Sequence, residues 1–334
     1  MSDQKISRRE FVKQGAAGAA GAALVLGAGA ATAGAAPAMA LRPLGKTGYK
    51  VKLFSLGGQA TLEKPGTHDE SVAIINRAID LGVNYLDTAA AYGDGISQTY
   101  IGEVMAKRRK EVFLASKTHD RTRDGSLRLL EQSLKLLKTD HLDLWQLHNV
   151  QRDEQLEQIF GKDGAIEALQ QARDQKMVRF LGITGHFDPE VLARGIQRFE
   201  FDTILMALNP ADRNRLSFIQ TLLPLANKKN MGVIAMKLPA RGRLFRPDGI
   251  TSIKEAITYV LSLPVSTVII GCDNVKQLEE NVAVASAFTP LPAAEMARLE
   301  KLTAPYETEA AWFKKGGAGF ARPGDDDQNT EPAP

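Results

Sequence analysis

Four ionisable side chains stand at or just beyond the ends of short apolar runs: Asp87, Tyr92, Lys117 and His148. Asp87 falls where Asn84-Tyr85-Leu86 runs out, and Tyr92 follows five residues later in a small-residue loop, Thr88-Ala89-Ala90-Ala91-Tyr92-Gly93. Val112-Phe113-Leu114-Ala115-Ser116 runs into Lys117, and Leu142-Asp143-Leu144-Trp145-Gln146-Leu147 runs into His148. A free tyrosine titrates at about 10, so its proton is hard to give up at neutral pH. A neighbouring ammonium favours the phenolate and lowers that value. Lys117 can supply the charge, Asp87 can hold Lys117 protonated and in place, and His148 can donate to a substrate oxygen or relay a proton. Such a set suits protonation of an oxygen on which negative charge is developing, as when hydride arrives at a carbonyl carbon.

These groups lie far apart in the chain, so the fold must bring them together. Short apolar runs at 53–56, 84–88, 112–116, 142–147, 180–184, 203–208, 232–236 and 267–270 alternate with longer amphipathic ones. Strands separated by helices pair in parallel, and eight such units in about 250 residues close as a (β/α)₈ TIM barrel. The C-terminal strand ends of a barrel share one face, where chemistry is built. An open doubly wound sheet is the runner-up, but Leu53-Phe54-Ser55-Leu56-Gly57-Gly58 lacks the glycine spacing that its first turn needs. Several helix starts are legible. Thr67-His68-Asp69-Glu70 and Ser252-Ile253-Lys254-Glu255 read as capping boxes, Asp188-Pro189 as an N-cap before proline, and Ser126 as a cap for the helix bearing Leu127, Leu130, Leu134 and Leu137. An N-terminal hairpin is expected around Gly45-Lys46-Thr47-Gly48, and an extra helix after Pro292.

Composition sets the outer bounds. The 334 residues are 44% hydrophobic and 24% charged, ordinary for a globular protein. Net charge is +3, and residues 1–40 carry +2 of it: Lys5, Arg8, Arg9 and Lys13 against Asp3 and Glu10. The near-neutral remainder argues against nucleic acid as a partner. Cys272 is the only cysteine, so no intrachain disulfide or cysteine metal cluster can form, and His119-Asp120 lacks a third spaced ligand; no metal is expected. Ser7-Arg8-Arg9-Glu10-Phe11-Val12-Lys13, a Gly/Ala-rich stretch and Ala38-Met39-Ala40 read as a twin-arginine export signal over residues 1–40. That makes the export machinery a transient partner and the periplasm, or another exported location, the destination. So Gly- and Ala-rich a stretch is too weakly apolar to leave a stable membrane span. The barrel is expected over 41–315, and the Gly-, Pro- and Asp-rich residues 316–334 read as a disordered tail.

The chain resembles the aldo-keto reductase family. Asp87-Thr88-Ala89-Ala90-Ala91-Tyr92-Gly93 looks like that family's loop carrying the catalytic aspartate and tyrosine, Ala115-Ser116-Lys117-Thr118 like its lysine strand, and Gln146-Leu147-His148-Asn149 like its histidine strand. The likeness runs from about Leu41 to Leu302. It implies an NADPH-preferring carbonyl reductase with Tyr92 as general acid, Lys117 and Asp87 as its tuning pair, and His148 orienting a small-molecule carbonyl substrate.

The resemblance extends unevenly to the cofactor. Thr184 stands where the family has a hydroxyl for the carboxamide, but Gly185 and Leu205 replace its asparagine and glutamine, and Met236 replaces a stacking aromatic. Asn209 matches a family asparagine and equally suits a turn before Pro210. Lys237, Arg241 and Arg243 could bring charge to a phosphate at the helix start after Gly271-Cys272-Asp273-Asn274, or simply form a solvated basic loop. Gln277, Glu280 and Asn281 match the adenosine-contacting pattern. Asp273 departs from it: a carboxylate there would repel a 2′-phosphate and let NADH compete. A cofactor-binding sensor with little turnover is the alternative function. A hydrolase with paired carboxylates lacks its second acid at a neighbouring strand end.

Overall fold

The computed structural model describes residues 38–316. The twin-arginine segment, apart from its last three residues, and the tail beyond Gly316 lie outside the described residues. Eight strands form a closed barrel in the order β10-β3-β4-β5-β6-β7-β8-β9, every neighbouring pair parallel. They are β3 (Phe54–Gly57), β4 (Tyr85–Asp87), β5 (Phe113–Thr118), β6 (Leu142–Leu147), β7 (Val178–Gly185), β8 (Thr203–Ala207), β9 (Gly232–Met236) and β10 (Thr267–Ile270). The (β/α)₈ expectation therefore holds and the open sheet is excluded.

The two-residue period of a strand sorts side chains between two cores. Tyr85, Phe113, Ala115, Leu144, Leu205, Ile234 and Ile269 fill the barrel interior, where Tyr85 stacks on Phe113 at 5.3 Å and Phe113 on Phe180 at 6.0 Å. The intervening residues, such as Leu86, Leu114, Trp145 and Ile183, join the larger cluster between barrel and helices. Two residues beyond the interior Tyr85 comes Asp87. Four beyond Phe113 comes Lys117, and two beyond Leu144 comes Gln146. The same alternation that fills the interior thus aims these polar groups inward near the C-terminal strand ends. Lys117 pairs in register with Gln146, and Asp87 with Ala115.

The hairpin of β1 (Leu41–Pro43) and β2 (Lys50–Lys52) lies at the opposite end of the barrel. Its Leu44 and Val51 belong to the interior cluster, with Tyr49 packed against it. Tyr49 donates its hydroxyl to Asn84 O at 2.8 Å and packs on Phe113 at 4.7 Å, so the hairpin plugs the end away from the chemistry.

Two of the four cap readings hold. Ser252 and Glu255 form a reciprocal capping box, and Asp188 caps the helix Pro189–Arg198. The other two are corrected. Thr67 precedes the helix His68–Asp80, but its hydroxyl donates to Thr61 O at 2.7 Å and Lys64 O at 2.8 Å instead of capping. The helix Arg123–Leu136 starts earlier than expected, with Thr122 as its cap, because Asp120 Oδ1 holds both the amide and the hydroxyl of Thr122 at 2.7 Å.

The expected extra helix spans Ala293–Thr303. Beyond it the chain returns along the ends of β7, β8 and β9. Lys314, buried, fastens this strap: its Nζ donates to Asp212 Oδ1 at 2.5 Å, Arg215 O at 2.7 Å and Leu216 O at 3.1 Å. Asp212 in turn accepts from Ser217 Oγ and from the amides of Phe218 and Ile219.

Candidate active site

Asp87 ends β4 and Lys117 lies near the end of β5, and both are buried. Lys117 Nζ donates to Asp87 Oδ2 at 2.5 Å, to Thr88 O at 2.8 Å and to Tyr92 Oη at 3.1 Å. An ammonium has three donors, and all three are taken. Gln146 Nε2 approaches the other carboxylate oxygen at 3.4 Å. Burial lowers Lys117 and raises Asp87, and each partner's charge opposes that shift in the other. The donor geometry is that of an ammonium facing a carboxylate, carbonyl and phenol oxygens, so we assign the pair as ionic.

Tyr92 opens a turn with left-handed backbone at Gly93 (φ 56°), Asp94 (φ 50°) and Gly95 (φ 90°). A side chain at Gly93 would strike the carbonyl of Glu63, so glycine lets this turn pack on the 60–63 segment. Because Tyr92 Oη accepts from Lys117, its own hydrogen is left for another acceptor. Burial first, then the Asp87 and Glu63 carboxylates, raise the phenol well above its ordinary value, with Arg241 opposing. This corrects the expectation that Lys117 lowers it. The lysine charge is largely matched by Asp87, and removal from water dominates. Tyr92 is therefore a neutral phenol at neutral pH.

His148 follows β6, and its ring meets that of Tyr92 edge to face at 5.6 Å. Burial first, then Lys117, Arg121, His119 and His186, hold it well below the ordinary histidine value, so it is neutral. All four expected residues thus converge at one end of the barrel, and the Lys117–Asp87 pair has the ionic form expected of it.

The expected cofactor residues are placed less uniformly. Thr184 is buried at the end of β7, where its Oγ1 accepts the amide of Asn149 at 2.8 Å. Gly185 beside it has no room for the family's asparagine, since a Cβ there would lie 2.7 Å from Val150 O. Asn209 takes the turn role: its Oδ1 accepts from Ala211 N at 2.9 Å, and its Nδ2 reaches Lys237 O at 3.3 Å and Ala310 O at 3.4 Å. Met236 packs against the barrel-interior cluster, of which Leu205 is a member.

In the loop after β9, Lys237 (φ 62°), Ala240 (φ 48°) and Arg241 (φ 54°) all have left-handed backbone, uncommon for residues other than glycine. Lys237, Arg241 and Arg243 surround the ring of Trp312 at 5.5, 5.6 and 4.9 Å. Burial, reinforced by Arg241 and opposed by Glu63, brings Lys237 down to about 7. Trp312 therefore sits against the expected phosphate cations, a placement invisible in the sequence.

After β10 and Gly271, Asn274 caps the helix Val275–Ser286 by accepting from Gln277 N at 2.8 Å, while Gln277 Oε1 accepts from Asp273 N at 2.5 Å. Asn281 is buried against Cys272 Sγ at 3.6 Å, and Glu280 is exposed, 3.8 Å from Lys276. These side chains brace the turn, and Asp273 is half-buried beside it. Burial pushes the Cys272 thiol up to about 12, consistent with a packing role.

Sequence reasoning missed Gln146, Glu63, Arg121 and Lys314. Gln146 was accessible from the strand period, two residues before His148 on the same face. The other three reach their partners through loops that carry no such period.

A family model described as the aldo/keto reductase family matches residues 53–249, more than half of the chain. The chain belongs to that family. It is 26% identical over 289 residues to L-galactose dehydrogenase of Arabidopsis thaliana, covering 75% of this chain and 89% of that one. Among solved structures, it is similar to an aldo-keto reductase from Bacillus halodurans at 26% identity and a TM-score of 0.67, covering 79% of this chain and 96% of that one. An aldo-keto reductase from Klebsiella pneumoniae, solved in complex with NADPH, shares the fold at 22% identity and a TM-score of 0.65, covering 78% and 94%.

Lys117→Met leaves Asp87 a buried carboxylate facing only Gln146. Breaking a buried pair from one side costs about 3–5 kcal/mol. The unpaired Asp87 takes up a proton in the folded state above the pH at which it does so unfolded, so the variant regains stability as pH falls. Urea unfolding at about pH 7 and about pH 5 should show a gap to wild type that narrows at the lower pH. In the double variant Asp87→Asn/Lys117→Met that pH dependence should vanish.

Proposed function

We propose that this aldo/keto reductase family member is an NAD(P)H-dependent oxidoreductase that reduces the carbonyl of an aldehyde, ketone or sugar-like substrate. The carrying observation is the chain Asp87–Lys117–Tyr92, with contacts of 2.5 and 3.1 Å, beside a neutral His148.

The residues fit the cofactor best at its phosphate end. The first amides of the helix Val275–Ser286 would face an anion there, and Lys237, Arg241 and Arg243 would add positive charge from the loop after β9. Gly271, Gln277, Glu280 and Asn281 would frame the adenosine side. At the carboxamide end Thr184 keeps its own hydroxyl hydrogen to donate, and Met236 would pack against the ring. When bound, the reduced nicotinamide supplies the hydride that reaches the carbonyl carbon. That NADPH is the cofactor accords with the family resemblance and with the NADPH complex of the Klebsiella pneumoniae relative.

The chain's own residues handle the oxygen. The imidazole of His148 donates to it and orients the carbonyl. As negative charge develops, the Tyr92 hydroxyl hydrogen passes to that oxygen and completes the alcohol. The phenolate left behind faces Lys117, whose ammonium stabilises it in a site removed from water. Asp87 keeps Lys117 charged throughout. The barrel's interior stack of Tyr85, Phe113 and Phe180 fills the space beneath the site with apolar side chains.

A second reading, a cofactor-binding sensor with little turnover, is favoured by one observation: Thr184 and Asn209 are both engaged inside the protein. Cofactor oxidation with a panel of aldehydes and sugar aldehydes separates the two. On the enzyme reading, Tyr92→Phe lowers kcat by about 10²–10⁴-fold and leaves cofactor affinity intact. A rate unchanged in that variant refutes the acid role.

Cofactor preference should depend on Asp273. Removing its charge by Asp273→Ser should raise the ratio of NADPH to NADH affinity by about tenfold, the equivalent of about 1.4 kcal/mol. The same ratio in both proteins would dismiss the repulsion.

We also propose export by the twin-arginine route, supported by Ser7-Arg8-Arg9-Glu10-Phe11-Val12-Lys13 and the small-residue site Ala38-Met39-Ala40. Mass spectrometry of protein recovered from outside the cytoplasm should find Leu41 as the first residue. Retention of the full leader there would count against cleavage.

A further inference from the structure

We propose that Arg121 is a positioning residue for His148, forming with Thr184 a two-sided clamp on residues 148–150 that sets the imidazole's place. The inference rests on the reductase reading above, in which a neutral His148 orients the carbonyl.

The turn after β6 is bonded at every amide. His148 N donates to Thr118 O, Asn149 N to Thr184 Oγ1, and Val150 N to Thr184 O, each at 2.8 Å. Asn149 has φ 50°, a left-handed conformation that asparagine tolerates better than most residues. The consecutive carbonyls of His148 and Asn149 both come within reach of one donor. Arg121 Nη2 takes both, at 2.8 and 3.3 Å. On the far side, Gly185 lets Val150 O approach where a Cβ would stand only 2.7 Å away. The chain thus replaces the amide expected at position 185 with close packing that completes the clamp.

Holding two carbonyls does not require a full charge, and burying one is expensive. Among the described residues no carboxylate forms an ion pair with the Arg121 guanidinium, and its Nη1 has no hydrogen-bond partner. Burial takes it down to about 10, and the charge of Asp120 opposes that. Asp120 is occupied with the amide and hydroxyl of Thr122. What the guanidinium adds beyond a neutral donor is positive charge on the turn that carries His148, bonded through the His148 carbonyl.

The groups around His148 come from several elements. Lys117 and His119 come from β5 and its loop, together with Arg121. Tyr92 follows β4, and His186 follows β7. Asp87 and Asp120 are the nearby acids, the first bound to Lys117 and the second to Thr122. Lys117 and Arg121 both act on His148, Lys117 the more strongly, but Lys117 also serves Tyr92, so Arg121 is the cation whose effect on His148 can be removed by itself. Protonation of His148 would add a third buried cation to Lys117 and Arg121, and the clamp disfavours it.

Three variants separate position from charge. Arg121→Met removes both, Arg121→Lys keeps the charge on a shorter stem that reaches the two carbonyls less well, and Thr184→Val removes only the hydroxyl that holds the Asn149 amide. The decisive readout is titration of the His148 ring nitrogens by NMR on the intact protein, which needs no turnover. The His148 pKa should rise by about one unit in Arg121→Met and stay at the wild-type value in Arg121→Lys and Thr184→Val. In steady-state reduction of an aldehyde, all three should lose kcat, on the order of tenfold, and the two Arg121 variants should keep the wild-type affinity for NADPH by fluorescence titration. Only Arg121→Met should shift the acid limb of the rate profile to higher pH.

An unshifted His148 titration in folded Arg121→Met overturns the charge role. Unchanged kcat in both Arg121→Lys and Thr184→Val overturns the clamp. Should Arg121→Met fail to fold, Arg121→Gln, which keeps a neutral donor, carries the same NMR test with the same expected rise. Absence of any reductase activity in the wild type would sink the functional reading, whereas the NMR comparison would still test the clamp.

Discussion

Burying an ammonium and a carboxylate together is costly unless nearly every remaining polar atom finds a partner. At the head of this barrel that condition is met. Lys117 has three hydrogens and gives them to Asp87, Thr88 and Tyr92, while Gln146 approaches the other carboxylate oxygen. The arrangement ties the end of β4 and the loop after it to one nitrogen of β5. It fixes the Tyr92 hydroxyl by its lone pair and leaves the hydroxyl hydrogen facing elsewhere. The rest of the molecule can be read as what is needed to keep that nitrogen where it is.

Three supports serve it. The interior stack of Tyr85, Phe113 and Phe180 lies beneath and is closed from the other end by the hairpin bearing Leu44, Tyr49 and Val51. The glycine turn after Tyr92 packs against the 60–63 segment and so brings the Glu63 carboxylate near the phenol. The C-terminal strap, pinned by Lys314 to Asp212, sets Trp312 against Lys237, Arg241 and Arg243. Two buried lysine–aspartate pairs therefore do different work: one organises the proton-handling groups, and the other holds down the segment that walls the cation cluster.

Electrostatics in the site run against simple intuition from neighbours. A lysine within hydrogen-bond distance of a phenol is expected to acidify it, yet burial and two carboxylates prevail, and Tyr92 stays neutral. The consequence favours a proton donor: a neutral phenol holds its hydrogen at neutral pH, and the ammonium acts on the phenolate only as it forms. His148 is uncharged for the complementary reason, being buried among cations.

Much of this was legible in the linear chain. Alternating short apolar and longer amphipathic runs point to a parallel sheet, since a strand–helix–strand unit favours parallel pairing, and eight such units without a glycine-rich first turn favour the closed barrel. The position of Asp87, Lys117 and His148 at run ends implies one shared face, because strand ends in a barrel all meet there. Those are periodic, local properties, and a sequence carries them directly. Other features depended on which loop meets which. Thr184 and Asn209 were chemically suited to a cofactor, but neighbouring backbone claims the Thr184 oxygen and both ends of the Asn209 amide. Arg121, Glu63 and Lys314 lie in segments with no repeating pattern, so their partners, far away in sequence, could not be inferred. The sign of the Tyr92 shift was likewise a tertiary matter, since it turns on how completely water is excluded and on which carboxylates stand nearby. Residue type and period determined the chemistry available; burial and loop contacts decided the charge state of each group and which polar atoms remained to use it.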